Sequence, residues 1–308
     1  MTYLTQGLLS KHTQEKQYKP PHAQYCYTTM LSLLKKLFRF SPNLLNKHFN
    51  IIALLGKGGY GSVYHARRKS DLQDVALKKL KKNNNFIDTK DGRMPREIYI
   101  STLLNHPNII PSSSFIKTSS YWVLIMGYNK LNIDLHTYIS SRGILSEPLA
   151  SSITQQTMSA LAYCFKHGVT HGDIKPDNLL INTQTLKVQL IDFGAATFYT
   201  KDQKVSLEGM QGTDVFLPPE LFETLSYLPT EGTVWAVGCL AYCMVTGRLP
   251  FQTKQEVLFL NLAAILPSAL TSQCKDFILS CLQRDLKRRI GFREMRGHRW
   301  CKRGRIML

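Results

Sequence analysis

The chain has 308 residues, 44% of them hydrophobic, and a formal net charge of +18. That length can bury two substantial cores, and the composition excludes a disordered or collagen-like chain. Seven cysteines with no Cys-x-x-Cys pair exclude a disulfide-stapled secreted domain and point to free thiols in a reducing compartment.

Residues 1–45 read as a basic extension, broken by Pro20-Pro21 and closed by Ser41-Pro42. Met1–Lys11 mixes polar with apolar residues, so no secretory signal is read there. Met30, Leu34, Leu37 and Phe38 fall at helical spacing among basic residues. Such an amphipathic helix lies on a membrane or docks a partner; packing its apolar stripe on the neighbouring lobe is the simpler expectation. Next comes Leu55-Gly56-Lys57-Gly58-Gly59-Tyr60-Gly61-Ser62-Val63, between the apolar runs Ile51–Leu55 and Val63–Ala66. Its glycines let backbone N–H groups approach phosphates without a Cβ clash. A dinucleotide fold uses a similar pattern but continues into a helix, whereas a strand pattern follows here.

Val75-Ala76-Leu77-Lys78 predicts a strand ending in a cation, and Arg96-Glu97-Ile98 lies on a helix that Pro95 starts and that runs to Leu104. Tyr121–Met126 predicts another strand, broken at Gly127-Tyr128-Asn129. From Glu147 to His167 the pattern turns helical, with Ile153, Met158, Leu161 and Phe165 facing a core. His171-Gly-Asp173-Ile-Lys175-Pro-Asp-Asn178-Leu-Leu180 then gathers an acid, a cation and an amide oxygen in one short loop. Asp173 can accept a proton, and Lys175 can hold an anion. Asn178, with Asp192 at the end of the apolar run Leu190-Ile191, offers the hard oxygens that Mg²⁺ prefers and shares with phosphates. Val234–Val245 is the most apolar run and is too short to span a bilayer. Cys239 and Cys243 on it read as buried packing. The last stretch carries Arg288, Arg289, Arg293, Arg296, Arg299, Lys302, Arg303 and Arg305. The basic tails offer attraction to acidic partners, but solvated cationic faces are the simpler account of the charge, and no aromatic-interleaved basic motif makes nucleic acid a primary ligand.

The loop at 171–180 and the segment Leu190-Ile191-Asp192-Phe193-Gly194 together resemble the catalytic loop and metal-binding segment of protein kinases, over roughly residues 50–300. The resemblance implies an α+β, two-lobed fold. A kinase domain at 46–300 would comprise a small β-rich lobe (46–126), a hinge (127–129) and a larger α-helical lobe (130–300), followed by a basic tail at 301–308. It implies ATP and Mg as cofactors and protein Ser/Thr hydroxyls as acceptors. Asp173, Lys175 and Asn178 take the catalytic positions, and Asn178 and Asp192 the metal positions. Residues Leu55, Gly56, Lys57, Gly58, Gly59, Tyr60, Gly61, Ser62 and Val63 become the lid over the nucleotide. Lys78, held by Glu97, grips phosphates; Val63, Ala76 and Leu180 sandwich the adenine beside Met126; Asp134 lies near the ribose. Gly212-Thr213-Asp214-Val215-Phe216-Leu217-Pro218-Pro219-Glu220 resembles the end of the activation segment, with Thr213 bracing Asp173 and Lys175 and Glu220 pairing with Arg289. Trp235 and Gly238 sit on the buried helix beneath the catalytic loop.

Four positions depart from the family. Gly172 stands where most members have Arg, and Thr233 where most have an Asp that anchors the catalytic loop. Ser101 and Ser112 occupy positions of the usual apolar spine between the lobes. Lacking that Arg, the chain is expected to act without phosphorylation of Tyr199, Thr200 or Ser206. Gly172 also raises the reading of a small-molecule phosphotransferase of the aminoglycoside or choline kinase type, and the charge of the chain raises that of a non-catalytic scaffold. Such divergence occurs among protein kinases of large DNA viruses. The expected location is intracellular, in cytoplasm, nucleus or both, and in the host cell if the source is viral.

Overall fold

The computed structural model describes residues 44–58, 61–80, 85–89, 92–118, 121–200, 202–206 and 214–302. Nearly all of the basic extension, and with it the amphipathic segment Met30–Arg39, lies outside the described residues.

A short helix α1 (Leu44–His48) leads into a five-stranded antiparallel sheet of order β1-β2-β3-β7-β6. Its strands are β1 (Phe49–Gly58), β2 (Gly61–Arg68), β3 (Asp74–Leu80), β6 (Ser112–Lys117) and β7 (Trp122–Gly127). The two-residue period of a strand sorts β3: Val75 and Leu77 go to one face and Ala76 and Lys78 to the other. Val75 and Leu77 join Phe49, Ala66, Ile116, Val123 and Ile125 in one cluster. On the other face Leu80 and Leu124 pack with Met94 and Ile98. Ile98 belongs to α2 (Arg96–Leu103), which starts directly after Pro95 and ends one residue short of the expected Leu104. An unanticipated hairpin, β4 (Phe86–Thr89) with β5 (Gly92–Pro95), delivers the chain to that helix. Strand β1 forms an edge of the sheet and is exposed along most of its length, Ile52 at 51% and Leu54 at 56%.

Beyond the hinge come β8 (Asn132–Asp134), α3 (Leu135–Arg142) and α4 (Glu147–Lys166). Helix α6 (Pro229–Thr246) is apolar all round because it is buried all round: every residue from Gly232 to Val245 is inside. It packs on α4 and on α9 (Ser272–Cys281) within one continuous core. Among the described residues no helix is long and apolar enough to cross a membrane. Cys164, Cys239, Cys243, Cys274, Cys281 and Cys301 are free and buried, and burial pushes each thiol upward in pKa. The large lobe extends past residue 300: on α11 (Arg299–Lys302) Cys301 is in the core, and Ser151 Oγ donates to the Trp300 carbonyl at 2.9 Å. The sequence signal for a tail there was its charge, which does not report the two buried side chains beside it.

Candidate active site

Lys78 reaches the cleft from the central strand, so its ammonium is buried. It donates to Glu97 Oε1 at 2.5 Å and to Asp192 Oδ1 at 2.8 Å. Burial alone would lower the pKa of Lys78; the charges of Glu97 and Asp192 outweigh it and raise it. The carboxylates divide. Burial raises Glu97 against the pull of Lys78, whereas for the less buried Asp192 the pull of Lys78 overcomes burial and lowers it. One ammonium between two carboxylates leaves a surplus negative charge, which a divalent cation beside Asp192 would neutralise. Asp192 sits in left-handed backbone, φ 61°, and its Oδ1 also accepts from Gly194 N at 3.0 Å.

The second half of the site hangs on the hairpin β10 (Leu179–Asn182) and β11 (Val188–Leu190). Leu179 pairs with Leu190, and Ile191 N donates to the Asn178 carbonyl at 3.0 Å, so Asn178 and Asp192 flank the same hairpin end. Their side-chain oxygens are hard donors of the kind that suits Mg²⁺, which keeps waters and phosphates for its other positions. Asn178 spends its amide nitrogen on Asp173, donating to the carbonyl at 2.7 Å and to Oδ2 at 2.8 Å, which aims its oxygen elsewhere. Lys175 Nζ lies 2.8 Å from Asp173 Oδ2. Asp173, Lys175 and Asn178 are thus one bonded unit on a loop whose turn Pro176–Asn178 is a 3-10 helix. Thr213, the expected brace, lies outside the described residues.

His171 is a component that reading the sequence did not single out. Its Nδ1 accepts from Asp173 N at 3.3 Å, so Nε2 carries the proton donated to the Ile191 carbonyl at 2.9 Å. Burial lowers its pKa, in keeping with this neutral tautomer. The ring joins the catalytic loop to the Asp192 segment and meets Phe193 edge-on at 4.9 Å.

The remaining cleft positions fall where the strands put them. Leu55, Gly56, Lys57 and Gly58 lie on β1 and Gly61, Ser62 and Val63 on β2; Gly59 and Tyr60 are outside the described residues. Ala76 pairs with Met126 across β3 and β7, and Leu180 lies half-buried in β10. Asp134 caps α3 with both oxygens, accepting from Thr137 N at 2.7 Å and Thr137 Oγ1 at 2.8 Å. Ser101 is buried on α2, and the buried Ser112 hydroxyl has no hydrogen-bond partner among the described residues.

Gly172 is more than a missing arginine. Its φ is +79°, and a Cβ there would lie 2.7 Å from the Ala195 carbonyl oxygen. The loop therefore runs through a conformation and a close approach that glycine tolerates. Thr233, where most members have the anchoring Asp, is buried, and among the described residues its hydroxyl makes no hydrogen bond to the catalytic loop. Gly172 and Thr233 instead line a common cavity of about 20 Å³, with Thr170, Asp173 and Ile174.

Arg289 and Glu220 form the expected buried pair, joined by two bonds of 2.7 and 2.8 Å. Arg289 also donates to the Gln283 carbonyl at 2.8 Å and lies over the Trp235 ring at 5.0 Å. This fixes α5 (Pro219–Thr224) to the large-lobe core.

Comparison with known proteins agrees with this geometry. The protein kinase domain model matches residues 49–301. The chain is 32% identical over 260 residues to the serine/threonine-protein kinase PLK4 of Drosophila willistoni, covering 82% of this chain and 32% of that protein. It is 30% identical to prk-2 of Caenorhabditis elegans, covering 83% and 58%, and 30% identical to pim-2 of Danio rerio, covering 82% and 84%. The chain thus spans about a third of the PLK4 relative and 58% of prk-2, but most of pim-2. With the two lobes, the Lys78–Glu97–Asp192 cluster and the Asp173 loop in place, the chain belongs to the protein kinase family.

Proposed function

We propose that the chain is a serine/threonine-protein kinase that transfers the γ-phosphate of Mg-ATP to protein hydroxyls. The observation that carries this is the bonded unit of Asp173, Lys175 and Asn178 beside Asp192, which Lys78 ties to Glu97. In this reading Asp173 orients the acceptor hydroxyl and takes its proton. Lys175 neutralises the transferring phosphoryl group, and Lys78 the phosphates behind it. Asn178 and Asp192 would hold Mg²⁺, which supplies charge neutralisation between the phosphates. Lys175, two residues after Asp173, favours Ser and Thr over Tyr as acceptors. The acceptors are proteins, and the exposed basic faces favour acidic partners. Buried free thiols fit an intracellular setting.

The test offers radiolabelled ATP and Mg²⁺ to the purified chain with mixed protein acceptors, choline and aminoglycosides in parallel. Phosphoserine and phosphothreonine on protein are expected. Transfer to the small alcohols alone, dominant phosphotyrosine, or no transfer at all would each overturn the reading.

A further inference from the structure

In the described part of the segment between Asp192 and Glu220, two short ladders tie the chain down. Strand β12 (Thr197–Phe198) pairs with β9 (Val169–Thr170) just before the catalytic loop. Strand β13 (Val205–Ser206) pairs antiparallel with β14 (Ser226–Tyr227), beyond Glu220. The second ladder is also a plug: Val205 packs on the buried cluster of Leu217, Leu221 and Tyr227. Tyr227 can lie where it does because residue 232 is glycine; a Cβ there would run into its ring. Burial pushes the Tyr227 hydroxyl up to about 12, so it stays neutral. The same Tyr227, with Phe216, Leu217 and Pro218, lines the cavity that Gly172 and Asp173 border. The ladder is therefore one layer of side chains away from the catalytic loop.

Two charged pairs nearby are bonded. Arg289 is held by Glu220, and Lys175 by Asp173. Glu231 is raised by burial and by Glu220, against the pull of Arg289 and Lys204.

We infer that Val205 and Tyr227 are positioning residues: the β13–β14 ladder and its apolar plug hold the segment and the Phe216–Pro218 lip in working order, in place of a phosphate clamped by a cation at 172. This rests on the kinase reading above and adds the device that organises the acceptor side of that site. A strand pair of two residues is weak alone. Its strength here comes from partly burying Val205 against that cluster, which takes apolar area from water.

The experiment uses the full chain, treated with phosphatase and shown by mass spectrometry to be unmodified. Wild type is expected to keep its turnover and to protect from hydrogen exchange the one amide of the Val205–Ser206 pair that donates into the ladder. Val205→Asp, which places a charge on the apolar cluster, should raise the KM for a protein acceptor or lower kcat by about tenfold or more. Its KM for ATP should stay near wild type, and that protected amide should exchange freely. Val205→Ile should behave as wild type. Val205→Thr, which keeps the shape, guards against an unfolded Asp variant and should show the same split in smaller measure. Wild type that loses its activity on phosphatase treatment overturns the inference, as do Asp and Thr variants with unchanged acceptor kinetics. A wild-type chain inactive before phosphatase treatment defeats the kinase reading instead.

Discussion

Lys78 and Arg289 are each buried against a glutamate, but they are bonded differently. The Lys78 ammonium divides itself between Glu97 and Asp192, and its cluster carries more negative than positive charge. Arg289 meets both oxygens of Glu220 with two nitrogens, and backbone carbonyls and the Trp235 ring take up the rest of its fork. The first arrangement can be rewired, since Asp192 can turn to a cation while Lys78 keeps Glu97. The second is bidentate, with further bonds to backbone carbonyls, and serves as a rivet. The chemistry of the two cations fits these tasks: a point charge on a flexible stem for the exchangeable contact, a planar fork for the fixed one.

The largest effect should come at the rewirable end. Asp173→Asn should lower kcat by about 10²–10⁴, the range of a lost general base, while nucleotide affinity and Tm stay near wild type. Fluorescent-nucleotide binding beside single-turnover kinetics checks this; an equal loss in both would place Asp173 among the structural residues. At the rivet the effect should be on stability. Arg289→Ala leaves the Glu220 carboxylate buried and unpaired, which costs about 3–5 kcal/mol. Removing both charges, as Arg289→Met with Glu220→Leu, should recover much of that in denaturant titrations. A single variant as stable as wild type would show that the pair does not hold α5 in place.

Gly172→Ala sits between the two ends. A Cβ there meets the Ala195 carbonyl at a backbone angle that costs an L-residue about 1–2 kcal/mol. Both Tm and kcat should fall, and Gly172→Arg should be worse rather than a repair. A fully active arginine variant would show that the loop readily takes another path. The smallest effect is one of pH. Lys78 has a folded pKa above its unfolded value near 10.5, so its contribution to stability is whole below that value and fades as pH rises through the folded one. Asp192 has a folded pKa below its unfolded value near 3.8, so its contribution is whole above that value and fades as pH falls through the folded one. Glu97 titrates the other way: burial already raises its folded pKa against the pull of Lys78, and Lys78→Met removes that pull. The stability gap between wild type and Lys78→Met should widen as pH rises from about pH 5 to pH 9, as the buried and now unpaired Glu97 ionises at a cost in the variant. A gap that narrows within that window would mean that the Lys78–Glu97 contact is not what sets it.

Much of this molecule is legible in the residues because the chemistry and the periodicity coincide. Val75, Leu77 and Lys78 announce both a strand and its cleft face, and Asp173, Lys175 and Asn178 are close in sequence because one loop must carry them. The Glu220–Arg289 pair was legible only through family resemblance, since 69 positions separate its members. Backbone facts were hidden. The sequence shows that residue 172 has no side chain, but not that φ is +79° or that Ala195 stands against it. It shows Thr233 in place of the family's anchoring Asp, but not that this residue lines a cavity and, among the described residues, makes no bond to the loop. The β13–β14 ladder was out of reach because two residues carry no period. His171 was passed over because a buried imidazole that bridges backbone groups looks the same in sequence as any other histidine.

Strand β1 has a consequence for handling the protein. Among the described residues it is an edge strand with Ile51, Ile52, Leu54 and Leu55 exposed, and Lys57 is its one charged residue. Unpaired backbone groups on an apolar edge are a template for a second copy of the same strand. The long-range repulsion of a chain with net charge +18 opposes that pairing. Salt shortens that repulsion to about 8 Å at physiological ionic strength and about 3 Å at 1 M. Colloidal stability should thus fall as salt rises, the reverse of the usual remedy for a sticky basic protein, and light scattering across a salt series would register it before any loss of fold.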